Sequence, residues 1–330
     1  MSHRTTGRGR VFGALAFAGT LVLSSAQVSA QMANGRPKFL GNIVADNVPS
    51  NFGTYWNQIT PENSSKWESV EGTRDQMDWE GADAAYRYAQ QRDYKFKFHT
   101  LVWGSQYPRW LTGSGLTHEQ QRAEIEEWMR LAGERYPDIW AVDVVNEPLN
   151  APAPFRAALG GEGATGWDWV ITSFQLARQY FPNATLLINE YGTENDADAR
   201  SRYKHIITLL KARGLIDGVG IQAHYFDADR MNAGSVTAML DDYATLGLDL
   251  YISELDITGG GDESIQRDKY ADIFPAMWNH DSVKGITLWG YVWGRTWRRN
   301  TGLVGAYGTE RAAMVWLKAF LESPATPPLP

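Results

Sequence analysis

Leu248-Asp249-Leu250-Tyr251-Ile252-Ser253-Glu254-Leu255-Asp256 begins as an apolar run and ends in two acids. Its centre, Leu250-Tyr251-Ile252, lacks the period-two alternation of a half-buried strand, as does Leu186-Leu187-Ile188; both fit strands buried on both faces of a parallel sheet. A helical pattern follows over 264–279, and then another apolar run over 285–291. The same alternation extends toward the N-terminus. Strand-like runs cover 39–46, 55–62, 95–103, 139–147, 185–191 and 218–225, most of them ending in polar or aromatic residues. Helical patterns cover 79–92, 119–136, 167–180, 199–213 and 235–246, with a last one at 310–322. Thr117 and Gln120 form a capping box at the start of the second helix. A helix after the first strand would have to fit near 47–54, so it is short or missing. Eight strands alternating with helices predict an α/β chain, a single-domain (β/α)8 TIM barrel. A doubly wound open sheet is the rival, but no Gly-rich phosphate loop follows any strand.

Composition narrows the function. The chain has 330 residues, 43% hydrophobic and 21% charged, as in ordinary soluble domains. It has no cysteine, which excludes disulfide scaffolds, thiol nucleophiles, zinc fingers and iron–sulfur sites. A net charge of −7 argues against nucleic acid as a partner. Fourteen Trp and fifteen Tyr suit stacking on flat, uncharged ligands such as sugars; a Trp-rich core is the other reading. At the N-terminus, Arg4, Arg8 and Arg10 precede an apolar stretch over 11–23 and the small residues Val28-Ser29-Ala30. That pattern predicts a secretory signal peptide over 1–30 of bacterial type, too short to span a membrane, which takes about 20 apolar residues. The expected organisation is a signal peptide at 1–30, a catalytic barrel at 31–322 and a Pro-rich disordered tail at 323–330. The mature protein is expected outside the cytoplasm, extracellular or periplasmic, as a monomer that does not engage a membrane.

The C-terminal strand ends of such a barrel form its active-site face. The fourth strand ends in Asn146-Glu147-Pro148 and the seventh in Ser253-Glu254-Leu255-Asp256. These strands lie nearly opposite in an eight-stranded ring, so the glutamates can face one another near the separation of about 5–5.5 Å used by retaining glycosidases. The bland alternative is a pair of solvated or lysine-paired charges. His99 and His224 are also read at strand ends. His224, after Gln222 and one strand from Glu254, can hydrogen-bond that carboxylate and keep it ionised as a nucleophile. Zinc ligation is the other use for two histidines, but no His-x-x-x-His spacing occurs, so no metal or cofactor is expected. Glu62-Asn63-Ser64-Ser65-Lys66-Trp67 offers donors and acceptors for sugar hydroxyls. Asn63-Ser64-Ser65 and Asn183-Ala184-Thr185 are read as chance sequon matches. Trp289 and Trp297 flank the exit of the eighth strand as plates for a pyranose ring, with Trp293 between them assigned to packing.

Four segments together resemble the motifs of family 10 glycoside hydrolases, the endo-1,4-β-xylanases. They are Tyr55-Trp56-Asn57-Gln58-Ile59-Thr60-Pro61-Glu62-Asn63, His99-Thr100-Leu101-Val102-Trp103, Asp143-Val144-Val145-Asn146-Glu147-Pro148 and Ile252-Ser253-Glu254-Leu255-Asp256. The similarity runs from about residue 39 to 320. It implies that Glu147 is the general acid/base and Glu254 the nucleophile. It implies glycone-side contacts at Glu62, Asn63, Lys66, His99, Trp103, Gln106, Asn146, Trp289 and Trp297. Gln222 and His224 would line the catalytic subsite, His224 and Asp256 would support Glu254, and Tyr191 would be an aglycone-side platform. The implied activity is retaining hydrolysis of internal bonds in xylan and xylo-oligosaccharides. The rivals are the same machinery on cellulose or mannan, and a non-catalytic carbohydrate-binding barrel, against which both glutamates speak. Two departures stand out. Gly104 follows Trp103 where family members often carry histidine, so one imidazole near the pocket floor is missing. The eighth loop, 289–299, replaces an Asp/Ser-rich version with Arg295, Arg298 and Arg299, at least one of which is expected to meet glucuronate branches if it is not simply solvated.

Overall fold

The computed structural model describes residues 1–3, 31–45 and 47–323. Most of the expected signal peptide, Asp46 and the tail from 324 onward therefore lie outside the described residues. From residue 31 the chain alternates strand and helix. The first half contains β1 (Phe39–Val44), α1 (Phe52–Tyr55), β2 (Gln58–Pro61), α2 (Trp67–Val70), α3 (Glu80–Gln90), β3 (Lys95–Val102), α4 (Trp110–Gly113), α5 (His118–Arg135) and β4 (Ala141–Asn146). The second half contains α6 (Asp168–Tyr180), β5 (Thr185–Glu190), α7 (Ala197–Lys211), β6 (Gly218–Ile221), α8 (Tyr225–Ala228), α9 (Ala233–Ala244), β7 (Asp249–Leu255), α10 (Glu263–Asn279), β8 (Val283–Leu288) and α11 (Ala312–Glu322). The strands close in sequence order, and β8 returns to pair in parallel with β1, Phe39 opposite Gly285 and Asn42 opposite Leu288. This is the expected (β/α)8 barrel.

The strands are buried almost throughout, which is why their sequences read as unbroken apolar runs. The first helix is indeed reduced to a single turn, α1. The capping box is present: Gln120 N–H donates to the Thr117 hydroxyl, and the Thr117 N–H donates to the Gln120 side chain at 2.9 Å. Three strand readings need correction, one of them the run over 285–291, since β8 ends at Leu288 and the chain turns at Gly290 with φ +97°. The run over 55–62 begins too early, because the Trp56 amide bonds Phe52 O at 3.0 Å and closes a helical turn; Asn57 then bonds Leu40 O and starts the β2 ladder. The run over 218–225 continues too far. Ala223 takes a φ of +56°, the chain turns, and His224 becomes the N-cap of α8 rather than a strand end.

The aromatic surplus divides between core and site. Trp56, Trp67, Trp128 and Trp169 are fully buried, and Trp128 stacks on both Trp67 and Trp79 with centroids 5.7 and 5.5 Å apart. At the N-terminal mouth, Phe39, Trp140 and Tyr251 pack edge-on or stacked at 4.9–6.1 Å and close the barrel floor. Near the same end, the Arg36 guanidinium donates to Ser323 O at 2.7 Å, and the Lys38 ammonium donates to Trp278 O and His280 O at 2.5 and 2.7 Å. The opposite mouth is open and polar.

Candidate active site

Glu147 is the first residue after β4, in a left-handed conformation with φ +54°, which a side chain other than glycine's rarely adopts. Backbone bonds fix it there: its amide donates to Asn189 O at 2.7 Å, and its carbonyl accepts from the Ala151 amide at 2.8 Å. The departure at Gly104 belongs to this turn. Its amide bonds Ala151 O at 2.9 Å, and a Cβ at that position would lie 2.3 Å from the same oxygen. A side chain such as the expected imidazole therefore has no room here.

Glu254 is in β7 and only 3% exposed. Its Oε1 accepts from Asn189 Nδ2 at 2.6 Å, and its Oε2 lies 3.1 Å from His224 Nε2. The other imidazole nitrogen is 3.3 Å from Asp256 Oδ2, an ion-pair contact without hydrogen-bond alignment. Asp256 is itself held by the Tyr225 amide and the Trp297 indole N–H, both at 2.6 Å. Burial alone would push the Glu254 carboxyl up, but the His224 hydrogen bond and the nearby His99, His224 and Lys97 hold it down to about 2. Burial would likewise lower His224, but Asp256 and Glu254 outweigh it and raise the imidazole to about 10.

Glu147 has the opposite environment. Trp103 Nε1 donates to its Oε2 at 2.9 Å, while Gln222 Nε2 and Asn146 Nδ2 reach its Oε1 at 3.1 and 3.2 Å. Burial raises its pKa above the ordinary carboxyl value, and the Glu254 charge adds to that; the Gln222 and Trp103 bonds oppose them. One chain of amides joins the two glutamates, since Asn146 Oδ1 accepts from Asn189 at 2.8 Å and Gln222 at 3.4 Å. The result is two carboxyls in the same cavity pushed in opposite directions, Glu254 held down and Glu147 raised.

The side wall comes from β2, β3 and β8. Lys66 Nζ bonds Asn63 Oδ1 and Gln106 Oε1 at 3.1 and 2.7 Å and lies 4.8 Å from the Trp103 ring centre. Burial lowers the Lys66 pKa, opposed by Glu254, Glu62 and Glu147. His99 lies inside β3 and not at its end as expected; its Nδ1 is 2.9 Å from Asp143 Oδ2, and its ring meets Trp289 edge-on at 5.2 Å. Every site residue expected from sequence lines one cavity of about 460 Å³ except Asp256, which stands behind His224. Trp297, 49% exposed, packs at 4.9 Å from the His224 ring at the cavity mouth, whereas Trp293 lies away from the cavity under Arg311.

Sequence reasoning missed Asn189, Asp143, Lys97 and Phe226. Phe226 lines the cavity beside Tyr191, with ring centres 5.4 Å apart. Asn189 had a visible signal, a polar residue at the end of a strand. Among the described residues, the grouping of possible metal ligands is Glu71, Asp75 and Glu124, outside this cavity. Its oxygens already accept from Trp67, the Asp75 amide and Arg74.

Comparison with known proteins adds an independent line. The model of glycosyl hydrolase family 10 matches residues 23–326. Endo-1,4-beta-xylanase B of Cellvibrio japonicus is 44% identical over 283 residues, covering 85% of this chain but 45% of that protein, so the chain spans less than half of that relative's length. Endo-1,4-beta-xylanase 2 of Aureobasidium pullulans is 31% identical over 290 residues, 82% of this chain and 78% of the relative. Among solved structures, native xylanase 10B from Thermotoga maritima superposes with a TM-score of 0.76 at 25% identity, covering 89% of this chain and 97% of that one. By the family match and by these relatives, the chain belongs to glycosyl hydrolase family 10.

Proposed function

We propose that this protein is an endo-1,4-β-xylanase that hydrolyses internal bonds of xylan with retention of anomeric configuration. The observation that carries the reading is a pair of carboxyls lining one cavity in opposed environments, Glu254 against His224 and Asn189 and held down to about 2, Glu147 under Trp103 and Gln222 and raised. Glu254 attacks the anomeric carbon while Glu147 delivers its proton to the departing glycosidic oxygen. Glu147, now a carboxylate, takes a proton from water, which attacks the glycosyl-enzyme and releases Glu254. His224, backed by Asp256, keeps Glu254 ionised, and Asn146 orients the acid. Glu62, Asn63, Lys66, His99, Trp103, Gln106, Trp289 and Trp297 hold the glycone sugars; Gln222 lines the catalytic subsite and Tyr191 receives the aglycone. This chemistry calls for no cofactor. The same reading takes residues 1–30 as a signal peptide that exports a monomeric barrel of 31–322, with 323–330 as a tail.

Xylose lacks the hydroxymethyl group of glucose, and Trp289 and Trp297, which line the cavity, are expected to close over the position where it would project. Xylan is therefore expected to exceed soluble cellulose by at least roughly tenfold in kcat/KM, the worth of one misplaced carbon-sized group. Equal rates on the two polymers would overturn the substrate assignment. Azide separates the two glutamates. Glu254→Ala should be inactive, and azide should give it a glycosyl azide of inverted configuration. Glu147→Ala should still react with an activated aryl xyloside, accumulate a covalent species, and give a retained azide product. The reverse pattern would exchange the two roles.

A further inference from the structure

A second cavity, of about 420 Å³, adjoins the active-site cavity, and Glu62 lines both. Its volume lies within the range of about 300–1,000 Å³ typical of small-molecule sites. It lies between the end of β1 and the loop after β8, with Val44, Pro49 and Tyr291 as apolar surface and Asn47, Glu62 and Arg295 as polar groups. The loop carrying Arg295 is pinned: the Arg295 amide bonds Val292 O at 3.0 Å, Trp293 N–H bonds Val304 O at 2.7 Å, and Arg311 covers the Trp293 ring at 3.8 Å.

The three loop arginines are not equivalent. Arg298 stacks 4.5 Å over the Tyr225 ring, and Arg299 lines neither cavity. Arg295 alone of the three lines the second cavity; Glu62 lines it too, but no ion pair joins the Arg295 guanidinium to a carboxylate among the described residues. A guanidinium presents a planar fork of donors matched to a carboxylate, beside apolar surface sized for a sugar ring. The shared Glu62 places this cavity next to the main-chain sugars on the glycone side.

We infer that this cavity is an accessory subsite for an acidic branch sugar, a uronate attached to a glycone-side xylose, with Arg295 binding its carboxylate. The inference rests on the xylanase reading. It makes the enzyme selective for where a branch falls along the chain as well as for the backbone linkage.

The test compares kcat/KM on a xylo-oligosaccharide carrying one uronate branch with that on the unbranched oligosaccharide of equal length. Arg295→Ala should lower the branched-to-linear ratio by about three- to tenfold, between an exposed ion pair and a charge-assisted hydrogen bond. Linear hydrolysis should be unchanged. Arg295→Lys should recover part of the ratio, since it restores charge without the fork, and Arg295→Glu should lower it below the alanine value. Reducing the branch carboxyl to an alcohol should bring the wild type to the Arg295→Ala ratio. An unchanged ratio in all three variants, or equal wild-type rates on the acid and its reduced form, overturns the inference. A wild type unable to cleave the linear oligosaccharide overturns the xylanase reading instead.

Discussion

The chemistry of each glutamate is set by its immediate neighbours, so pH is the natural probe at the residue scale. With Glu147 as the proposed acid, the alkaline limb of kcat/KM should follow it, activity falling as that raised carboxyl gives up its proton. The acid limb should follow Glu254, held to about 2. In His224→Ala, the bond that opposes the burial penalty on Glu254 is gone, so the acid limb should move to higher pH; an unmoved limb would remove His224 from its supporting role. Much of this was legible in sequence, because Asn146-Glu147-Pro148 and Ser253-Glu254-Leu255-Asp256 place charge where apolar strands stop. Asn189 and Asp143 were not. Asp143 sits within an apolar run, and Asn189, though polar at a strand end, carries no mark of its partner; only the closed barrel brings Asn189 to within 2.6 Å of Glu254 or Asp143 to within 2.9 Å of His99.

The elements show how the site is held from below. In β6, a Cβ at Gly220 would lie 2.4 Å from Asn189 Oδ1, the amide that bonds Glu254. Gly220→Ala should displace Asn189 and lower kcat on linear xylo-oligosaccharides, with a stability cost of about 1–3 kcal/mol typical of overpacking. A variant with full kcat would show that Asn189 does not position the nucleophile. On the outer face, Thr117→Ala removes one half of the α5 capping box and should cost about 0.5–2 kcal/mol in denaturant unfolding without changing kcat. Strand order and most helices could be read from periodicity, since each long element buries one consistent face. The ends of three strands could not, those of β2, β6 and β8. Tyr55 and Tyr225 continue an apolar run equally well whether the backbone extends or turns, and local hydrogen bonds at Trp56 and around His224 decide between these outcomes.

Across the whole molecule, the charged groups of the polar mouth tie stability to pH. The His224 pair carries the clearest signature. Raised to about 10, His224 contributes stability that is fully present below about 6.5, its unfolded value, and lost as pH rises through 10. Glu254, held to about 2, contributes stability that is present above about 4.5 and lost as pH falls through 2. The melting temperature of the wild type should therefore exceed that of His224→Ala most clearly between these limits, and the gap should shrink above pH 10; a constant gap would mean that packing, not charge, accounts for it.

The floor has a consequence of another kind. Because Arg36 holds Ser323 and β1 is hydrogen-bonded to β8, the barrel has no seam that depends on where its chain is interrupted. Circular permutation should succeed. Linking residue 323 to residue 36 through a short Gly/Ser bridge and opening the chain at the exposed turn around Gly214 should leave circular dichroism and kcat/KM close to the parent values. Opening it instead between Glu147 and Ala151 should abolish activity while the barrel still folds, because that cut releases the turn that holds Glu147, the proposed proton donor.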